Sequence, residues 1–155
     1  MRKYFYICLV IAIYGFTASS INHTVLVEVN AINELEILGG NLTLTINTAT
    51  AGSNPDAQSN SSACDLEWTT NRTSKKITIV SNIASPTNTL TVLADNVSGG
   101  TSAGSITISN SVQDLITAIA ETVGVCDLNY TASTTASNGT SSDVHTITYT
   151  LTGVW

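Results

Sequence analysis

The side chains able to do chemistry are few and scattered. Two histidines, His23 and His145, eleven carboxylates and three cysteines occur among 155 residues. An imidazole serves as a general base when a nucleophile and an orienting acid stand beside it. His23 has no such neighbours in Ile21-Asn22-His23-Thr24, and His145 opens an alternating run through Ile147, Tyr149 and Leu151, where a strand position accounts for it. A glycosidase needs only two carboxylates facing a cleft. Here Glu28, Glu34 and Glu36 belong to alternating apolar runs, while Asp56, Asp95 and Asp143 fall in loops rich in Asn and Ser, where Asx turns explain them. Those loops supply oxygen ligands without the spacing of a calcium loop. The chain also lacks a Gly-x-Ser-x-Gly elbow, a His-Glu-x-x-His pair and a phosphate-cradling glycine loop followed by Lys. The expectation is a protein that is not an enzyme and that uses no cofactor and no metal.

Cys64 and Cys126 are the two cysteines beyond the N-terminal apolar run, and an exported chain with an even pair most simply joins them. A Cys64–Cys126 disulfide is expected, closing about 63 residues and stabilising the fold by roughly 4 kcal/mol on the chain-entropy model. Trp68 aligns with Cys64 and Leu66 and reads as core. Trp155, the last residue, either anchors into a neighbour or caps its own sheet. Lys75 and Lys76 stand beside a polar turn and read as solvated amines. Asn-x-Ser/Thr sequons begin at Asn22, Asn41, Asn60, Asn71, Asn96, Asn129 and Asn138, and are candidate glycosylation positions in a host that modifies them.

At the start of the chain Arg2 and Lys3 precede an apolar run from Tyr4 to Phe16, then Thr17-Ala18-Ser19-Ser20. This is the pattern of a secretory signal peptide, residues 1–20. The run is about 13 residues, short of the roughly 20 a spanning helix needs. The mature chain, residues 21–155, has the length of one domain. Losing Arg2 and Lys3 takes the formal net charge from −6 to −8. An acid excess of that size excludes nucleic acid and anionic membranes as natural partners.

The elements that must position these residues are strands. Apolar and polar residues alternate in short runs separated by Gly, Asn, Ser and Asp. Strands are expected at Thr24–Asn30 (Val25, Val27, Val29), Glu34–Leu38, Asn41–Thr48 (Leu42, Leu44, Ile46), around Cys64–Trp68, at Lys76–Val80 and around Leu90–Ala94. Further strands are expected at Ile106–Ile108, Cys126–Tyr130 and His145–Leu151. Long polar loops are expected at Ala49–Ser62 and Asp95–Ser105, with a third at Ser133–Ser142. One stretch reads as a helix: Ser111–Val123, with Val112, Leu115, Ile116 and Ile119 at three- and four-residue spacings, Ser111 as cap and Gly124 as stop. The fold class is all-β, a Greek-key, immunoglobulin-like antiparallel β-sandwich with one short crossover helix.

The runs Val27-Glu-Val-Asn-Ala-Ile-Asn-Glu-Leu35, Gly39-Gly-Asn-Leu-Thr-Leu-Thr-Ile46, Ala49-Thr-Ala-Gly-Ser53 and Ser142-Asp-Val-His-Thr-Ile-Thr-Tyr-Thr-Leu-Thr152 resemble those of a group of exported prokaryotic immunoglobulin-like β-sandwich surface proteins. The resemblance implies the fold and transfers no catalytic residues. The order Cys64, Trp68, Cys126 is similar to the immunoglobulin pattern. The tyrosine that pattern places two residues before the second cysteine is Gly124 here.

Two functional expectations follow. The first is an extracellular structural subunit of a filament, pilus or surface assembly, self-associating into a homopolymer through residues 21–32. Signal cleavage would place this alternating strand at the very N-terminus, free to complete a neighbour's sheet as a donor strand. The second is a monomeric adhesin or carbohydrate-binding module that reads surface glycans with the three polar loops. Both place the protein outside the cell, at the cell surface, with no membrane contact after cleavage.

Overall fold

The computed structural model describes residues 18–153. The signal-peptide run, Val154 and Trp155 lie almost wholly or entirely outside them. Ten strands build two antiparallel sheets: β1 (Asn33–Gly39), β2 (Gln58–Asn60), β3 (Cys64–Thr70), β4 (Lys75–Ser81), β5 (Thr89–Ser98), β6 (Thr101–Ser102), β7 (Ile106–Thr107), β8 (Gln113–Ile119), β9 (Thr122–Ser133) and β10 (Ile147–Gly153). The first sheet runs β1-β3-β9-β5-β7, with β2 also on β9. The second runs β10-β4-β8-β6. The long hairpin-like register of β9 against β3 and β5 forms the spine of the first sheet.

Period-two alternation explains why these segments are strands with one buried face. In β3 Cys64, Leu66, Trp68 and Thr70 are buried while Glu67 is exposed. In β9 Gly124, Cys126, Leu128 and Tyr130 are buried while Val123 and Val125 face out. Against them the second sheet sets Ile77, Ile79, Leu115, Ile116 and Ile119, all essentially without solvent access. Tyr130 of the first sheet and Tyr149 of the second join the sheets through their hydroxyls. Trp68 packs flat on Gly124: a Cβ there would collide with the indole ring. A glycine is therefore required at 124 by its neighbour, with no demand from its own backbone angle.

Three expectations are corrected. The helix over Ser111–Val123 is absent; β8 and the start of β9 occupy it. Its pairing with β4 runs Ile79↔Gln113, Thr78↔Asp114, Ile77↔Ile116 and Lys75↔Ile119, so β8 carries two extra residues. Such bulges put the adjacent Leu115 and Ile116 both inward and hold Ala118 at a positive φ of 55°. The resulting inward set 115, 116, 119 mimics helical spacing. The expected stop, Gly124, is an interior position of β9.

The Cys64–Cys126 disulfide is not formed, and both residues are buried free thiols. They lie in the same sheet on neighbouring strands, and since Leu66 is opposite Cys126, Cys64 is displaced diagonally from it. Diagonal neighbours stand roughly 7–8 Å apart, beyond the usual Cα reach of a disulfide. In the immunoglobulin arrangement the pair faces across two sheets, which is not the case here.

The expected strands Thr24–Asn30 and Asn41–Thr48 join no ladder. Leu42 and Leu44 nonetheless pack against the core, so the second segment lies extended on the sandwich. Conversely, β2 and β6 arise inside two of the expected loops, and β5 continues to Ser98.

Candidate functional site

The candidate site begins with residues 21–32. Ile21 is 100% exposed, Val25 69%, Leu26 85%, Val27 80% and Val29 73%. Such a run of apolar side chains in water is a marker of an interaction surface. The base of this segment is fixed. Asn71, in the turn after β3, accepts from the Ile32 backbone N–H through Oδ1 at 2.7 Å. Its Nδ2 donates to the Asn30 carbonyl at 2.8 Å, and its own N–H donates to the Ile32 carbonyl at 3.3 Å. One residue, by side chain and main chain, thus does the work of a short ladder and holds Asn30–Ile32 as an extension of β1, with the preceding residues leaving the body.

The second component is a groove where the sheets part. β1 ends the first sheet and β10 ends the second, and neither has a further strand on its outer edge among the described residues. Between them lies an open groove of about 280 Å³, where Leu35, Ile37, Leu66, Ile147 and Tyr149 share the walls with Glu36 and Thr148. Ile37, on the inward-facing side of β1, is 47% exposed as a result.

The outer face of the first sheet is different in kind. Asp65 of β3 stands opposite Asp127 of β9, which stands opposite Asp95 of β5; Glu36 of β1 stands opposite Glu67 of β3. A wider trough of about 440 Å³ on this face is walled by Glu34, Glu36, Glu67, Val123 and Val125. Among the described residues no group of three His, Cys, Asp or Glu side chains is placed to hold a metal. Asp56, Asp95 and Asp143 form no such group. Asp143 accepts from both the backbone and side-chain nitrogens of Asn88, and these hydrogen bonds hold its carboxyl below the usual carboxylate value.

The nearest approach to a nucleophile–base pair is one the sequence did not suggest: Ser81 Oγ lies 2.9 Å from His145 Nδ1. Ser81 is buried, and its Oγ also accepts from the Ile83 N–H at 3.2 Å. A hydroxyl so enclosed ties β4 to the approach to β10. His23 is exposed. Trp68 is core, with its Nε1 lacking a partner. Lys76 is not a free amine: its Nζ meets Asp114 at 2.8 Å. The Cys126 thiol is pushed up to about 12 by burial and by the charge of Asp127, and Cys64 is raised by the same causes, with Asp65 as its charge. Neither is primed as a nucleophile.

The three polar loops do not share a face. Asn54 Oδ1 accepts from the Ala136 N–H, joining 49–62 to 133–142 at one end of the sandwich. Gly99 instead abuts Thr122, at the opposite end of β9. Of the sequon asparagines, Asn22 and Asn41 are exposed, and Asn60 uses its Oδ1 to accept from Ser62 and Ala63. Asn71, Asn96 and Asn138 spend their Nδ2 on internal acceptors, and the Oδ1 of Asn129 is buried without a partner.

Fold and site together define a two-sheet antiparallel β protein of sandwich type with an unpaired apolar segment at one end and an open seam along one side. Set beside family models, curated proteins and solved structures, the chain matches none of them.

Proposed function

We propose that this chain is a non-catalytic structural subunit of an extracellular filament or surface assembly, polymerising by β-strand addition through residues 21–32. The observation that carries the reading is the exposed, alternating segment Val25, Val27, Val29, directed away from its own body by Asn71. An extended peptide of this kind gains backbone hydrogen bonds and side-chain pockets when it adds to another sheet. Its residue types suit the role, with three β-branched valines on one face and a single charge, Glu28, on the other. The basic and apolar start of the chain supports export. Repeated head-to-tail addition gives an open polymer, because donor and acceptor are different surfaces.

A second reading, a glycan-binding module, draws on the contact between loops 49–62 and 133–142 at one end of the sandwich. Negative-stain electron microscopy and size-exclusion of the mature protein, beside a variant lacking residues 21–32, separate the two. Filaments that disappear with the deletion are the expected result. Monomers in both samples would overturn the filament reading and turn attention to the paired loops.

A further inference from the structure

If strand donation is the mode of assembly, the chain must also carry the place that receives the strand. We propose that the groove between β1 and β10 is that acceptor, and that its occupant is Thr24–Asn30 of a second copy, with Val25, Val27 and Val29 directed inward. This rests on the filament reading and adds to it the identity of the receiving surface.

Four features point to this pairing. The groove sets Ile37, Leu66, Ile147 and Tyr149 beside Glu36 and Thr148 at the seam where each sheet ends in an unextended strand, so an added strand finds free backbone groups and apolar side chains together. The inward stripe of β10 is Ile147, Tyr149, Leu151, all only half-buried. It has the same length and period as Val25, Val27, Val29, each set spanning five residues, four steps or roughly 13 Å of strand. The chain's own segment is committed elsewhere: the three hydrogen bonds Asn71 makes with Asn30 and Ile32 hold its base in line with β1, and a return to the seam beside β1 would require the chain to reverse there. The larger trough on the outer face adds Glu34 and Glu67 to the Glu36 that borders both hollows, and would set more carboxylate against the valines and Glu28.

Two substitutions in the full mature chain separate donor from acceptor. Val27→Asp places a charge on the donated face and leaves the groove intact. Ile37→Arg blocks the groove at a position already 47% exposed and leaves the segment intact. Each variant alone should stay monomeric by size-exclusion with light scattering, with an unchanged circular dichroism spectrum. Mixed, they should form discrete dimers of doubled mass and nothing larger, since one chain can only donate and the other can only accept. Ile37→Arg filaments indistinguishable from the parent, with Val27→Asp monomeric, would overturn the groove and leave strand donation standing. Parent-like filaments of Val27→Asp would overturn strand donation itself. A reading that does not depend on the folding of Ile37→Arg comes from pairing Val27→Cys with Ile37→Cys in one chain. After assembly and oxidation this should give a ladder of covalent oligomers on a non-reducing denaturing gel, and Val27→Cys with Val125→Cys should not. Filaments without the ladder, or with it only in the Val125 pair, would place the strand elsewhere.

Discussion

Replacing Gly124 by alanine adds one methyl group where the chain has no room for it. The new Cβ would fall within the ring of Trp68, meeting Cε2, Cζ2 and Nε1, and that ring is 2% exposed with the second sheet behind it. Overpacking of this kind costs about 1–3 kcal/mol, and a rigid indole held on both sides puts the cost near the upper end. Gly124 has an ordinary strand φ, so alanine also gains about 0.5–1 kcal/mol by restricting the unfolded chain. The net expectation is a loss of about 2 kcal/mol, which for a chain of this size lowers Tm by on the order of 4–8 °C. Urea unfolding followed by far-UV circular dichroism measures it. The double variant Trp68→Phe with Gly124→Ala should recover part of the loss, because a smaller ring vacates the space the methyl enters. A Gly124→Ala protein as stable as the parent, or a double variant whose loss equals the sum of the two single losses, would refute the contact and with it the register of β9 on β3.

Two other measurements bear on the core. Tyr149→Phe leaves the buried Tyr130 hydroxyl without its partner across the sheets and should cost about 1–3 kcal/mol in the same unfolding assay, more than the reverse change in an exposed tyrosine pair. The folded mature protein should resist thiol alkylation at pH 8, because a thiol at about 12 is thiolate in only about one molecule in ten thousand and Cys126 is buried; in denaturant two thiols per mature chain should react. Quantitative alkylation of the native protein would refute the burial of this pair, and two unreactive cysteines in denaturant would mean a covalent bridge.

The sequence revealed strands well where burial and alternation coincide. Cys64, Leu66 and Trp68 read as one stripe and are one, and the same holds for Cys126, Leu128 and Tyr130. It misled where the backbone departs from regular pleating: two bulges in β8 put Leu115 and Ile116 side by side on the core, and periodicity then favours a helix. The disulfide failed for a different reason. Cysteine count and an expected export say that two thiols can pair but not whether register sets them opposite or diagonal. Alternation also does not distinguish a strand that has a partner from one that lacks it, so Val25–Val29 and Leu42–Ile46 looked alike. One projects into solvent and the other lies on the core without a ladder. The seam between β1 and β10 was not legible, since it depends on which strands end the two sheets, and that is a property of topology.

The row Asp65, Asp127, Asp95 crosses three adjacent strands on the broad flank of the first sheet, with Glu36 and Glu67 beside it. Like charges in register weaken a sheet slightly, and water screens them as long as the flank stays wet. Laying two such flanks together would strip that water and bring carboxylate against carboxylate, so this face repels its own image. Under the assembly proposed above, a row of acids that slightly weakens one chain would keep copies from stacking flank to flank and leave the seam as the place to meet.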